Sequence, residues 1–184
     1  MKWTPLMLIP REVTPDLKVA TLAHGTFDLS GENPEHSTLI VFYRGLHCPI
    51  CANYLTELER LTPEFEERGV KAIAISSDAE DRAKDMADKI SATNLRIGHG
   101  LPLSTAKAWG LSISASIGTT SIGIEEPELF SEPGVFLVRP DQTLYYASVQ
   151  TMPFVRPVFK EMVQALDFVI AKDYPARGEY TAEV

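Results

Sequence analysis

The chain has 184 residues, of which 45% are hydrophobic and 23% are charged, the range of an ordinary soluble globular protein with a full core. Its net charge of −8 argues against a nucleic-acid partner, because non-specific nucleic-acid binding needs a basic face. No segment reaches the roughly 20 apolar residues that span a bilayer, and the N-terminal residues lack the pattern of a secretory signal. We therefore expect a cytoplasmic protein with no membrane partner and no nucleic-acid partner.

The first quarter of the chain predicts a surface arm followed by strands. Residues 1–18 are punctuated by prolines and predict an arm that wraps over the surface. Residues 19–22 and 26–29 flank His24 and Gly25 and indicate a short hairpin. Residues 38–43 are a continuous apolar run, which is typical of a buried central strand.

A long helix is predicted after this strand. Pro49 favours a helix start, because the first turn does not need the missing N–H. Pro63 should kink or restart this helix, and Gly69 should end it. Apolar residues recur on one face at spacings of three and four, at Cys51, Tyr54, Leu55, Leu58, Thr62 and Phe65.

The middle of the chain continues the alternation of strands and helices. Residues 70–75 predict a second core strand, and Asp78 is expected to cap a charged helix that ends near residue 90. A weak strand is expected near residues 95–103, followed by a short helix at residues 105–109.

Residues 111–133 have no clear period, and a loop this long inside a compact domain is either functional or not truly a loop. A hairpin at residues 135–138 and 144–149 follows, and a final amphipathic helix is predicted over residues 154–171. This order predicts an α/β fold: a central mixed sheet with helices on both faces, a parallel core pair and an antiparallel edge hairpin.

The two cysteines of the chain lie together in Cys48-Pro49-Ile50-Cys51. A disulfide across so short a loop is a poor structural staple, and close cysteines in a reducing compartment are more often catalytic or metal-binding. Cys48 is expected where the strand passes to the helix, and cysteines at helix N-termini have pKa values lowered to roughly 3.5 to 7.5. Cys51 lies one turn later on the buried face, so Cys48 should attack and Cys51 should resolve.

Alternatives to this catalytic interpretation remain open. The pair could be half of a zinc site, although no second cysteine pair completes it, or the thiols could be inert core residues. Arg44 and His47 could each add positive charge near Cys48, or His47 could be an exposed loop histidine without a role. No metal and no cofactor is predicted.

The chain resembles the thioredoxin-like superfamily, and within it the AhpC/TSA, or peroxiredoxin-like, group. The matching stretches are STLIVFYRGLHCPICANYLTEL, GVKAIAISSD, LPLSTAKAWGL and EPGVFLVRPDQTLYYAS. The resemblance covers roughly residues 17–172 and implies a thioredoxin-like three-layer fold with an extra N-terminal hairpin and with residues 111–133 as an insertion. The length of the chain suits one domain over residues 1–184. It also implies that Pro133 is the cis-proline that faces the cysteine pair and binds substrate.

Two features depart from the standard peroxiredoxin pattern. Those enzymes carry a proline seven residues, and a threonine or serine three residues, before the peroxidatic cysteine. Counting back from Cys48 gives Val41 and Gly45, and counting back from Cys51 gives Arg44 and Cys48. Neither cysteine has the proline or the threonine or serine at these positions before it.

Three functions are consistent with these features. The first is a thiol–disulfide oxidoreductase that uses the Cys-x-x-Cys pair, and the alternative is a thiol-dependent peroxidase in which Cys48 reduces a hydroperoxide and Cys51 resolves. Arg44 and Arg139 are candidate anion stabilisers for the second function, although Arg139 is better explained as a solvated charge. The expected partners are a disulfide or hydroperoxide substrate, an electron donor such as thioredoxin or glutathione, and a second copy in a homodimer.

The third function is a binding module on a redox fold. The observation that suggests this function is a set of isoleucines in residues 111–133, which would form an apolar patch if they were exposed. The alternative for these residues is burial in the core of the domain itself. The set comprises Ile113, Ile117, Ile122 and Ile124.

Overall fold

The computed structural model describes residues 7–183, in which strands and helices alternate. The strands are β1 (Lys18–Thr21), β2 (Thr26–Asp28), β3 (Ser37–Phe42), β4 (Val70–Ile75), β5 (Arg96–His99), β6 (Ile113–Ala115), β7 (Leu129–Ser131), β8 (Gly134–Val138) and β9 (Leu144–Val149). The helices are α1 (Pro49–Glu66), α2 (Glu80–Lys89), α3 (Leu103–Ala108) and α4 (Phe159–Lys172). None of these helices is both long and apolar enough to cross a membrane.

Seven strands form one mixed sheet in the order β2-β1-β5-β4-β3-β8-β9. The pairs β3–β4 and β4–β5 are parallel, whereas β8 joins β3 in the antiparallel direction and forms a hairpin with β9. All six residues of β3 are buried, which confirms the prediction of a central strand from its continuous apolar run. The expected α/β architecture with a parallel core and an antiparallel edge hairpin is therefore present.

Helices cover both faces of this sheet because successive side chains of a strand point to opposite sides. Leu39 and Val41 belong to the cluster that includes buried residues of α1, α2 and α4. Ile40 and Phe42 belong to a second cluster with Trp109, which directly follows α3. Two separate cores, one on each face, make the three layers that the sequence predicted.

The N-terminal arm is partly described. Residues 1–6 of the predicted arm lie outside the described residues, whereas residues 11–14 run along the start of β9. Arg11 donates its N–H to the carbonyl of Leu144 at 2.8 Å, and the N–H of Leu144 donates to Glu12 at 2.9 Å. The arm thus covers the first part of an edge strand, and the predicted hairpin is present as β1 and β2.

The insertion folds into a small antiparallel sheet made of β6 and β7. Ile117 and Ile122 are exposed, at 93% and 39%, whereas Ile113 and Ile124 pack against the two core clusters. Neither alternative for the isoleucines holds for all four, because two side chains face solvent and two pack against the core.

Several helix boundaries differ from the predictions. Asp78 does not cap α2, since Ala79 stands at the cap position without a side-chain hydrogen bond and Asp78 bonds elsewhere. The final helix starts at Phe159 rather than at residue 154, because a proline at position 157 disfavours helical backbone in the residue before it. Helix α1 continues through Pro63, and the chain turns at Gly69, where φ is +69°.

Candidate active site

Cys48 stands immediately before α1 and caps it with its sulfur. The backbone of Cys48 is extended (φ −101°, ψ 102°), and Pro49 takes the first helical position, where no N–H is needed. The N–H of Cys51 has no acceptor within the helix and donates to Sγ of Cys48 at 3.2 Å. The sulfur of Cys48 thus takes the place that a serine or aspartate oxygen usually has at a helix N-terminus.

A buried carboxylate holds the loop that leads into the helix. Asp78 accepts the N–H of Leu46 at 2.7 Å through Oδ2, and its Oδ1 accepts a hydrogen bond from Nε of Arg82 at 3.2 Å. Gly45 packs against the same carboxylate with φ at +139°, and a Cβ at this position would come within 2.7 Å of Oδ2. The close approach and the positive φ both require glycine, so Gly45 and Asp78 together fix the path of the chain toward Cys48.

Arg156 lies over both thiols. Its Nη2 is 3.1 Å from Sγ of Cys51 and 3.7 Å from Sγ of Cys48, while its Nε donates to the carbonyl of Pro153 at 2.8 Å. Within residues 7–183, Arg156 forms no ion pair with a carboxylate. Its positive charge is therefore directed at the two sulfurs.

These contacts separate the two thiols in acidity. The hydrogen bond from the Cys51 thiol, the backbone N–H of Cys51 and the charges of Arg156 and Arg44 lower the pKa of Cys48 to about 6, against the effect of burial. Burial, followed by the interaction with Cys48, raises the pKa of Cys51 well above its ordinary value. Near neutral pH the site therefore holds a thiolate at Cys48 and a thiol at Cys51, with side chains that are 2% and 0% exposed.

Arg44 is neutralised by two carboxylates of the insertion. Its guanidinium lies 3.6 Å from Oε1 of Glu126 and 3.3 Å from Oε2 of Glu132, and both carboxylates are almost fully buried. The Cζ of Arg44 also lies 4.7 Å from the ring centroid of Phe130. The insertion thus packs against the segment before Cys48, and its acids offset much of the charge that Arg44 presents to the thiolate.

His47 does not have the environment of a cation. The side chain is 0% exposed and packs on Phe130, with 4.6 Å between ring centroids. Burial, aided by the positive charge of Arg44, lowers the pKa of His47 to about 4. His47 is therefore neutral at physiological pH, which corrects two predictions: its charge does not support the thiolate, and it is not an exposed loop residue.

Pro133 is buried, and the peptide bond before it is trans, so the predicted cis-proline is wrong. The carbonyl of Pro133 accepts the N–H of Gln150 at 3.0 Å. That carbonyl extends the ladder between β8 and β9 and is already engaged within the chain. Because Gly134 pairs with Phe42, Pro133 still lies near the end of β3 from which the cysteine loop departs.

Arg139 is not part of the site. It follows the end of β8 that pairs with Thr38, whereas the cysteine loop leaves from the opposite end of β3. Its guanidinium lies 4.8 Å from the ring centroid of Tyr145. The interpretation of Arg139 as a charge without a catalytic role fits this position.

Sequence reasoning missed Arg156 and Tyr54. The predicted helix over residues 154–171 includes Arg156 in its first turn, and no role is predicted for that side chain. A signal was available, since Pro153 and Pro157 flank a segment that cannot continue as regular helix. Tyr54 was assigned only to the buried face of α1, and its hydroxyl in fact donates to the carbonyl of Pro157 at 2.6 Å.

A family model identifies the family of the chain. A model described as the AhpC/TSA family matches residues 10–147, well over half of the chain. The chain belongs to the AhpC/TSA family.

Among residues 7–183, no cluster of three or more histidines, cysteines, aspartates and glutamates is arranged to hold a metal ion, so the alternative of a zinc site has no further ligands there.

Other AhpC/TSA-type proteins share the fold. The chain is 29% identical over 107 residues to a 1-Cys peroxiredoxin from Dirofilaria immitis; this match covers 52% of the chain and 46% of that protein, so the chain spans less than half of its length. Solved structures of a mutant Peroxiredoxin 6 from Arenicola marina and of Mycobacterium bovis AhpC each superpose with a TM-score of 0.70. The identities are 18% and 15%, and the alignments cover 90% and 96% of this chain and 75% and 99% of those chains. The predicted thioredoxin-like fold is thereby confirmed.

Proposed function

We propose that this protein is a thiol-dependent peroxidase in which the Cys48 thiolate reduces a hydroperoxide and Cys51 resolves the product. One observation carries the proposal: the sulfur of Cys48 accepts the N–H of Cys51 at the start of α1, beneath a guanidinium that also contacts Cys51. This arrangement favours a thiolate at Cys48 and keeps Cys51 protonated. Membership of the AhpC/TSA family supports the same chemistry.

The first step is attack by the Cys48 thiolate on the terminal oxygen of the hydroperoxide. An S–O bond forms, the O–O bond breaks, and the leaving alkoxide or hydroxide takes a proton from solvent. Cys48 becomes a sulfenic acid and the hydroperoxide becomes an alcohol or water. Arg156 is placed to stabilise negative charge as it moves from sulfur to oxygen, because its Nη1 is buried without a hydrogen-bond partner.

The second step joins the two sulfurs. Part of the raised pKa of Cys51 comes from the interaction with ionised Cys48, and this contribution is lost when Cys48 becomes a neutral sulfenic acid. Cys51 then loses its proton more readily and attacks the sulfur of Cys48. A disulfide forms and the sulfenic hydroxyl leaves as water. Oxidation of Cys48 thus makes Cys51 easier to deprotonate for this second step.

The disulfide must then be reduced by an external thiol. We place this step with a dithiol protein such as thioredoxin, or with glutathione, in the cytoplasm. Two electrons and two protons from the donor reduce the disulfide to two thiols, and Cys48 then releases one proton to solvent, which restores the thiolate and thiol state.

A thiol–disulfide oxidoreductase is the second candidate, and the asymmetric acidity of the two cysteines favours it as well. A disulfide reductase also needs an attacking thiolate followed by a resolving thiol one turn later. The burial of Cys48, at 2% exposure, argues for a small oxidant over a folded protein substrate. For this reason the peroxidase is the better-supported function.

Stopped-flow oxidation of the reduced protein by hydrogen peroxide tests the proposal. We expect oxidation much faster than that of free cysteine, no reaction of this kind in Cys48→Ser, and a sulfenic acid trapped by dimedone in Cys51→Ser. Oxidation no faster than that of free cysteine would refute the peroxidase. Turnover of glutathione disulfide or insulin by that same preparation, lost in Cys48→Ser, would then assign the disulfide reductase.

A further inference from the structure

Tyr54 links the helix that carries the cysteines to the loop that carries Arg156. It lies three residues after Cys51, so both side chains occupy the same face of α1. Its hydroxyl donates to the carbonyl of Pro157 at 2.6 Å, and the Cζ of Arg156 lies 5.1 Å from the centroid of its ring. One side chain therefore holds both the backbone next to Arg156 and the guanidinium itself.

The ring of Tyr54 is itself fixed. It stacks on Phe159, the first residue of α4, with 4.1 Å between centroids and 27° between planes. Burial raises the pKa of the Tyr54 hydroxyl, so the hydroxyl stays a donor throughout the range in which Cys48 titrates. Tyr54 therefore remains uncharged over this pH range and keeps its hydrogen bond to Pro157.

Arg156 has few other anchors. Its Nε donates to the carbonyl of Pro153, within the same loop, and its Nη2 is directed to the two sulfurs. Because the guanidinium has no carboxylate partner in residues 7–183, no ion pair fixes its position over the thiols. The orientation of Arg156 then depends on where the loop is held, and Tyr54 holds it to α1.

From this geometry we infer that Tyr54 is a positioning residue: it keeps Arg156 over Cys48 and Cys51 and thereby sets the reactivity of Cys48. The inference deepens the proposed peroxidase function, although it concerns the acidity of Cys48 and holds for either candidate reaction. The hydrogen bond of the Tyr54 hydroxyl goes to the carbonyl of Pro157 and not to either sulfur. Its effect must therefore pass through Arg156.

The experiment measures the rate at which reduced protein is alkylated at Cys48 as a function of pH, with the modified residue identified by mass spectrometry. In Tyr54→Phe the ring remains and the hydrogen bond to Pro157 is lost, so the midpoint should move upward by about half to one pH unit. Alkylation below the midpoint should slow by about threefold to tenfold, because each unit of pKa changes the thiolate fraction there tenfold.

Tyr145→Phe is the matched control. The hydroxyl of Tyr145 also donates to a backbone carbonyl, that of Tyr174 at 3.0 Å, but it lies at the end of the sheet away from the cysteines. This variant should leave the alkylation profile unchanged. A shift equal to that of Tyr54→Phe would overturn the inference, since loss of any tyrosine hydroxyl bonded to a backbone carbonyl would then suffice.

A double-mutant cycle separates positioning from general stability. Arg156→Met should raise the midpoint, and adding Tyr54→Phe to it should move the midpoint no further. Equal shifts in the presence and absence of Arg156 would refute a role through Arg156, and so would an unshifted profile in Tyr54→Phe. The readout is alkylation and does not require peroxidase activity. If the protein lacks that activity but the shift caused by Tyr54→Phe still depends on Arg156, the proposed function is rejected and the positioning role of Tyr54 is supported.

Discussion

Cys51 lowers the pKa of Cys48 in two ways, because both its backbone N–H and its thiol donate to the sulfur of Cys48. The same relationship raises the pKa of Cys51, since ionised Cys48 disfavours a second negative charge beside it. The pair therefore behaves as one site with one thiolate near neutral pH. This division of charge has a direct consequence for the pH dependence of the protein.

Alkylation of Cys48 should rise with pH around a midpoint near 6 and level off above pH 7. A pKa of about 6 leaves the thiolate at roughly nine tenths of the population at pH 7, whereas a free cysteine with a pKa of about 8.5 is a few per cent ionised there. Iodoacetamide rates between pH 4 and 9, with glutathione as the reference thiol, check this expectation. A rate that still climbs between pH 8 and 9 would contradict it.

The position of the reactive pair could be predicted from sequence because it depends on local rules. An apolar run, a short connection and Pro49 place Cys48 at a helix N-terminus, and the spacing places Cys51 one turn away. The structure adds the N–H of Cys51 as a donor to the sulfur, which is the ordinary geometry of an N-cap. Residues close in sequence are brought together by the helix itself.

The remaining site residues could not be found in this way because the fold brings them from distant parts of the chain. Arg156 is 105 residues from Cys51 along the chain, and Asp78 is 32 residues from Leu46. The neutral state of His47 depends on burial beneath Phe130, a residue of the insertion that had no readable period. Long-range packing decides these features, and single-sequence patterns do not encode it.

Asp78→Ala should destabilise the protein and disturb the cysteine loop. The change leaves the N–H of Leu46 buried without its acceptor and removes the partner of Arg82, at a cost of about 1 to 3 kcal/mol in the free energy of unfolding. Urea denaturation measures the loss. Asp78→Asn retains an oxygen acceptor and should be milder.

Asp81→Ala is the control for Asp78, since Asp81 is an exposed residue three positions along the chain. It should change the free energy of unfolding by less than about 0.5 kcal/mol, as surface substitutions usually do. Equal destabilisation by the alanine variants of Asp78 and Asp81 would show that the bond to Leu46 contributes nothing particular.

Glu132→Gln should lower the pKa of Cys48 further. The change removes a negative charge 3.3 Å from Nε of Arg44, so Arg44 presents more net positive charge to the thiolate. The midpoint of alkylation should fall by about 0.3 to 0.5 pH units, while the variant loses stability because a buried ion pair is broken. Glu128→Gln, at an exposed position of the same insertion, is the control. A midpoint that rises would show that Glu132 acts mainly by holding Arg44 in place.

Oxidation of the pair should loosen the segment that carries Arg156. In the reduced protein Nη2 of Arg156 contacts both sulfurs, one of them a thiolate, whereas a disulfide has no negative charge and is a weak acceptor. The guanidinium then loses a charge-assisted interaction worth about 1.5 to 3 kcal/mol, and local opening becomes more frequent by about tenfold or more. Loosening of this kind would expose the disulfide to its reductant.

Hydrogen exchange of residues 150–158, in reduced protein and in protein oxidised to the Cys48–Cys51 disulfide, measures this opening. The backbone amides should exchange faster after oxidation, while amides of the central strand β3 stay protected in both states. In Arg156→Met the segment should exchange equally in the two states, because no guanidinium responds to the lost charge. Faster exchange after oxidation in Arg156→Met as well would assign the loosening to the disulfide itself and remove Arg156 from its cause.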